Sequence, residues 1–285
     1  MRIKRLVKRA VPSAMKRYFD VRVQKKQLAA VPALSLKSRG LRAVSTAALG
    51  EIMRAGETQS RWLRDVARID ALGIPDGTGG VNPGDRRAIY HLVAGLRPHS
   101  VLEIGTHIGA STVHIATALA AAHSAPPPAD DALVSVDIAD VNEPSARRWA
   151  QFGSRSSPRA MIQELGCARF TSFVVARSLE YLRSATRTYD FIFLDGDHSA
   201  HTVYEEVAAA LRILAPGGVI LLHDYFPELK PLWRDGSVKP GPCLAIARLI
   251  SEGAGLAVLP LGELPWGTKL NSHRTSLALL AAAGS

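Results

Sequence analysis

The chain has 285 residues, 47% of them hydrophobic, enough for one substantial core rather than several. Its two cysteines, Cys167 and Cys243, lie far apart without metal-site spacing, and no apolar run is long enough to span a bilayer, so a disulfide scaffold, a zinc module and a membrane protein are all disfavoured. Ten of the 35 basic side chains but one of the 25 acids fall in residues 1–26, a net +9 that leaves +1 for the other 259 residues, which argues against a broad nucleic-acid-binding face on the folded part.

Three segments are expected: a basic tail over 1–26, a helical extension over 27–81 and an α/β domain over 82–285. In the tail, Ile3, Leu6, Val7, Ala10 and Ala14 recur at helical spacing among the cations, with Pro12 set to break the pattern. A solvated tail, peripheral contact with an anionic membrane and, more weakly, contact with RNA all remain open for it. No apolar stretch follows the basic start, so no secretory leader is expected; the expected location is cytoplasmic, with peripheral contact at the inner membrane surface open. In the extension, Gln59–Leu72 carries Trp62, Leu63, Val66, Ile69 and Leu72 on one helical face, as a packing helix or a lid.

Gly73–Asp85 is rich in turn formers, and Pro83 suits the first position of a helix over Asp85–Leu96 that ends at Arg97-Pro98. An apolar strand follows (Ser100–Ile104), then a glycine-bearing turn and a helix over Ala110–Ala122. His123–Asp131 reads as a surface loop. Further strands are expected at Leu133–Asp140, Ala168–Ser178, Phe191–Leu194 and Val219–His223, with a helix over Ala200–Leu214. The C-terminal part supplies a helix over Pro242–Ser251 and strand candidates at Leu256–Leu259 and Thr268–Ser276. Strands alternating with helices make a mainly parallel, doubly wound α/β sheet covered on both faces.

Ligands of such sheets bind beyond the carboxyl ends of the strands. The acids of this chain gather there: Glu103 after the first strand, Asp137 after the second, Asp195 and Asp197 after the fourth, and Asp224 after the fifth. Between Glu103 and the helix stand Gly105 and Gly109, spaced G-x-x-x-G rather than the G-x-G-x-x-G that seats a dinucleotide pyrophosphate. An acid inside that strand end is a poor neighbour for phosphate and a good one for an amine.

The motifs VLEIGTHIGAST (Val101–Thr112), SVDI (Ser135–Ile138), FIFLDGDHS (Phe191–Ser199) and LAPGGVILLHDY (Leu214–Tyr225), in this order, resemble the class I S-adenosylmethionine-dependent methyltransferases. Within these, the chain is similar to the catechol O-methyltransferase-like branch and to the O-methyltransferases of natural-product and sugar biosynthesis. The resemblance implies a Rossmann-like seven-stranded sheet with an antiparallel last strand. It also implies S-adenosylmethionine as cofactor and a small hydroxylated molecule as substrate, with no nucleic-acid partner; a homo-oligomer stays open. By the same resemblance Gly105 and Gly109 admit the methionine portion, Glu103 orients its amino group, and Thr106, Ser111 and Thr112 supply hydroxyls. Asp137 takes the ribose hydroxyls, next to Ile138, and Ser178 lies where adenine contacts are found, although Ala176-Arg177 stands where the family has a glycine and an acid.

An acceptor hydroxyl holds its proton tightly, so the chemistry needs a base or a metal. Two solutions remain open. A divalent cation, Mg²⁺ or another, held by Asp195, Asp224 and the flanking His223 would lower the hydroxyl pKa, although in the resembling metal enzymes the third ligand beside the second acid is Asp, Glu or Asn, and here the flanks are His223 and Tyr225. The metal-free alternative makes Asp195, His198 and His223 the catalytic set, with either histidine as base. Competing readings are a nicotinamide-dependent oxidoreductase, a nucleic-acid methyltransferase, disfavoured by Asp-Gly-Asp-His in place of N/D-P-P-Y/F, and a cofactor-binding module without catalysis.

Overall fold

The computed structural model describes residues 13–34, 36, 40–78, 80–123 and 128–283. Seven strands, β1 (Val101–Ile104), β2 (Leu133–Asp137), β3 (Thr171–Val175), β4 (Tyr189–Leu194), β5 (Leu214–Leu222), β6 (Leu256–Pro260) and β7 (Ala278–Ala282), form one sheet in the order β3-β2-β1-β4-β5-β7-β6. β1 to β5 are parallel, and β7 runs antiparallel to both β5 and β6. The two-residue period of a strand sends alternate side chains to opposite faces. Phe191 and Phe193 therefore enter one core, with the Pro83–Leu96 and Ala110–Ala122 helices, while Ile192 and Leu194 enter the other, with the Ala200–Arg212 and Pro240–Ser251 helices. Burial on both faces explains why these strands read as continuous apolar runs.

The last strand is a correction. Thr268–Ser276 is not extended: Leu270 and Asn271 adopt φ of 54° and 55°, and the Thr268 N–H closes a turn on Ser272 O at 2.8 Å. The strand is the apolar run that follows, Ala278–Ala282, inserted between β5 and β6. β5 also starts earlier than Val219, because Leu214–Gly218 continues it and is held by Gly217 N to Gly40 O (2.7 Å) and Arg42 N to Gly218 O (2.9 Å).

The Pro83 helix begins as its sequence suggests, with Pro83 in the first turn and the Asn82 side chain accepting the Asp85 N–H at 3.1 Å. Arg97, left-handed at φ 54°, closes it. In the extension, helix Gly56–Ala71 directs Trp62 against Tyr90 (ring centroids 5.1 Å apart) and the imidazole of His114 (5.8 Å), and no residue of this helix lines the cavity described below. A single helix, Ser13–Ala29, runs through residue 26 and rests on the Ala200–Arg212 and Pro240–Ser251 helices. The apolar positions Ile3 to Ala10 of the tail, Pro12, and residues 124–127 of the proline-rich loop lie outside the described residues. Among the described residues no helix is long and apolar enough to cross a membrane.

Candidate active site

The turn after β1 forces the strand-end groups together. Gly105 sits at φ +101°, donates its N–H to Val136 O (2.8 Å), and packs so tightly on the Asp195 carbonyl that any Cβ would collide with it. Behind this turn Glu103 is fully buried. Its carboxyl accepts Ser111 Oγ at 2.5 Å on one oxygen, and Thr112 Oγ1 (2.6 Å) and Ser135 Oγ (2.5 Å) on the other, while Thr106 Oγ1 meets Ser135 Oγ at 2.6 Å. Thus Glu103, Thr106, Ser111 and Thr112 bond among themselves beneath the turn, and none of them faces the cavity. Burial pushes the Glu103 carboxyl up to about 7, against the three hydroxyls that draw it down. Gly109, at φ +80°, opens the following helix against Pro158.

A cavity of about 600 Å³ opens at the carboxyl ends of β1, β2 and β4. Gly105, Asp137, Ile138, Ser178, Asp195 and His198 line it, as their positions in the sequence suggest, and Asp197 joins them. Both Asp137 oxygens already accept a backbone N–H, from His107 and from Ala139, each at 2.9 Å, which fixes the carboxylate and leaves each oxygen a further lone pair. Ile138 is 65% exposed on the cavity wall. Sequence reasoning missed Thr78, Gly80 and His107. The His107 imidazole reaches Thr78 O at 3.3 Å and packs against the Phe152 ring at 4.3 Å, joining the 73–81 loop to the first glycine turn.

At the far end of the cavity two imidazoles interleave with three carboxylates. His223 Nδ1 is hydrogen-bonded to Asp195 Oδ1 at 2.7 Å, and its Nε2 lies 3.6 Å from Asp85 Oδ2. His198 Nε2 lies 3.3 Å from Asp224 Oδ2 and 3.7 Å from Asp195 Oδ1, and Lys239 Nζ stands 4.0 Å from the same Asp224 oxygen. Asp85 is the member of this cluster that sequence reasoning missed most clearly: it is fully buried, takes Asn82 Nδ2 at 2.6 Å on Oδ2, and its Oδ1 has no partner among the described residues. Burial works to lower the His223 pKa, but Asp195 and Asp224, with the bonds to Asp195 and Asp85, carry it well above the ordinary imidazole value. His198 goes the other way, since burial outweighs the pull of Asp224 and Asp195 and lowers its pKa. For Asp224 burial opposes ionisation, yet His223, His198 and Lys239 hold its pKa below the usual carboxylate value.

Close under the Gly196 turn, Glu206 is 1% exposed with Oε1 unpartnered among the described residues, and burial pushes its carboxyl up to about 7 against a hydrogen bond with Ser178. The unfolded chain gives up this proton near the ordinary value of 4.5, so the group's contribution to stability is complete below that pH and lost as pH rises through about 7. Glu206→Gln is therefore expected to raise the melting temperature at pH 8 and to change it little at pH 5. Equal shifts at both pH values would refute the assignment.

Asp195, His198 and His223 bring one ligand-type atom each within 4.8 Å of one another, the only such group of three among the described residues. His223, however, is already bonded. Ligands about 2.1 Å from a shared octahedral ion stand about 3 Å apart, whereas His223 Nδ1 and Asp195 Oδ1 are at direct hydrogen-bond distance, 2.7 Å. A ligating imidazole also needs a free lone pair, and both His223 nitrogens face carboxylates. To serve as a ligand beside Asp195 and Asp224, His223 would have to give up one of these contacts.

The family described as "Methyltransferase domain" matches residues 102–225, a span that runs from β1 to the end of the His223-Asp224 turn. A mycobacterial protein named "Putative O-methyltransferase", from Mycobacterium sp. (strain JLS), is 28% identical over 205 residues, covering 70% of this chain and 82% of its own. Among solved structures, the O-methyltransferase TomG from Streptomyces achromogenes, involved in tomaymycin synthesis and bound to S-adenosylmethionine, superposes with a TM-score of 0.51 at 17% identity, over 86% of this chain and 92% of that one. An O-methyltransferase from Bacillus cereus in complex with S-adenosylhomocysteine gives 0.50 at 19% identity, over 79% and 91%. These likenesses show a shared fold. Matched domain, motif order and sheet topology agree: residues 102–225 match a methyltransferase domain, and the chain is similar to S-adenosylmethionine-dependent O-methyltransferases.

Proposed function

We propose that the protein methylates a hydroxyl of a small molecule, a sugar or another hydroxylated natural product, with His198 as the base and without a divalent cation. The observation that carries this reading is the cluster at the end of the cavity, in which the imidazole just after β5, His223, is engaged by Asp195 and Asp85 while the loop imidazole, His198, lines the cavity. The cavity volume of about 600 Å³ suits a cofactor with a small acceptor. Asp137 is placed to receive ribose hydroxyls on its remaining lone pairs, Ile138 and Leu179 offer apolar walls for a purine, and Ser178 offers a polar contact at its edge. Gly105 leaves room for the methionine end, and Glu103 acts from behind, holding the turn through Ser111, Thr112 and Ser135. When bound, S-adenosylmethionine supplies a methyl carbon made electrophilic by the adjoining sulfonium.

The chain's own residues provide alignment and a proton sink. Proximity and orientation alone supply up to roughly 7–11 kcal/mol of such a barrier. Were the acceptor oxygen to take the methyl group, with the methyl–sulfur bond breaking to leave a neutral thioether, its proton would pass to His198, which burial keeps neutral and ready to accept it. The imidazolium formed is stabilised by Asp224 and Asp195, 3.3 and 3.7 Å from its Nε2. Asp195 is held in position for this by its bond to His223.

Isothermal titration tests the cofactor assignment. S-adenosylmethionine is expected to bind equally in EDTA and in Mg²⁺, NAD is expected not to bind, and Asp137→Ala should weaken S-adenosylmethionine by about 1–3 kcal/mol through loss of charge-assisted hydrogen bonds. Undiminished affinity in Asp137→Ala removes that carboxylate from the site, and a strict Mg²⁺ requirement for turnover overturns the metal-free mechanism.

A further inference from the structure

The outward side of the Ser13–Ala29 helix takes no part in the chemistry above. Its inward side is fixed to the domain. Leu28 is buried, Gln24 Oε1 accepts the Ala200 N–H at 2.7 Å, and Arg248 donates to the carbonyls of Leu28 and, at 2.8 Å, of Val31. The Gln24 bond fills a real vacancy in the helix-end bonding, because Ser199, the residue that would ordinarily cap the Ala200–Arg212 helix, directs its hydroxyl to Thr202 Oγ1 at 2.8 Å. The helix thus presents a defined face outward.

That face is chemically mixed in a particular way. Tyr18, Phe19 and Val23 are 61%, 55% and 53% exposed. Helical spacing aligns Tyr18 with Arg22 and Lys25 in one row and Phe19 with Val23 and Lys26 in the next, and all three cations are exposed. Single exposed apolar side chains need no explanation, but an aromatic pair 5.8 Å apart beside an aliphatic and three cations is a patch. It also stands in the segment that holds nearly all of the chain's excess charge, +9 in residues 1–26 against +1 elsewhere.

We propose that this face docks the protein on an anionic membrane surface. Aromatic and aliphatic groups settle at headgroup depth while Arg and Lys reach the lipid phosphates with their charged ends. Each cation near such a surface contributes a roughly fivefold gain in partitioning. A polynucleotide is the poorer match: it gains little from an exposed valine, and the near-neutral remainder of the chain has no charge excess to extend along a phosphate backbone.

The test is co-sedimentation of the full chain with vesicles of phosphatidylcholine alone and of phosphatidylcholine with phosphatidylglycerol. Binding is expected only to the second kind and is expected to weaken in high salt. Arg22→Gln/Lys25→Gln/Lys26→Gln should weaken partitioning by about 100-fold, and Tyr18→Ser/Phe19→Ser by roughly tenfold with every charge retained. S-adenosylmethionine affinity serves as the check that each variant is folded, since none of these side chains is near the cavity. Equal sedimentation with both vesicle types, no sedimentation with either, wild-type binding by Tyr18→Ser/Phe19→Ser, or tighter binding to single-stranded RNA than to the anionic vesicles would each overturn the proposal.

Discussion

Asp195→Asn is expected to reduce turnover by about 10²–10⁴-fold, the range that general acid–base assistance supplies, while leaving S-adenosylmethionine affinity within a few-fold of wild type. The carboxylate closes β4 on the cavity wall, bonds His223 Nδ1 at 2.7 Å and stands 3.7 Å from the His198 nitrogen. Asparagine keeps its shape but not its charge, so an imidazolium at His198, the form proposed above to arise during methyl transfer, loses one of its two nearby anions. The comparison of kcat with cofactor affinity separates this from a folding defect, because the Asp137 wall and the Gly105 turn are untouched. Near-wild-type kcat in a folded Asp195→Asn variant would remove the residue from the chemistry.

His223→Leu is expected to cost about 3–5 kcal/mol of stability, the usual penalty for removing one member of a buried charge pair, or on the order of 10 °C in melting temperature. Leucine leaves Asp85, fully buried, and Asp195 facing each other with nothing positive between them. The pH dependence has a definite sign. The His223 pKa is raised in the folded protein, so its contribution is complete below the ordinary imidazole value of 6.5 and is lost as pH rises through the elevated one. The gap between wild type and His223→Leu, read from melting curves, should therefore be widest in mild acid and narrow in alkali. Adding Asp85→Asn to His223→Leu should restore part of the loss, because the double variant no longer buries that charge. A gap independent of pH, or no restoration, would contradict the clamped imidazolium.

Much of the sheet and one side of the site were legible in the sequence, for a physical reason. A polar side chain closing an apolar strand marks the rim where a parallel sheet meets its ligand, and Asp137 and Asp195 both stand there on the cavity wall. Glu103 carries the same signature yet lies beneath the turn, because three hydroxyls and a full cover of side chains are supplied by residues that only the folded packing brings to it. Asp85 gave no signal. In the first turn of a helix an acid is ordinary, favoured by the helix dipole, and nothing in the chain order shows that this turn packs against the end of β5. His107 was hidden for a related reason: its left-handed φ of 50° carries the imidazole across to the 73–81 loop, and a left-handed backbone at a non-glycine residue is not written in the residue type. The last strand was misplaced because Thr268–Ser276 has two threonines suited to a strand, whereas Ala278–Ala282, rich in alanine and leucine, becomes one only through its position between two others.

Asp85 belongs to the helix that precedes β1 and so lies upstream of the stretch 102–225 that the methyltransferase family covers. A fragment starting at residue 100 would retain all seven strands and the strand-end acids, yet its central imidazole would have a carboxylate on one side only. The stretch that carries the sheet is for this reason shorter than the stretch that carries every charge around His223, and transplanting the shorter one into another protein would carry over the architecture without the full charge balance at its centre.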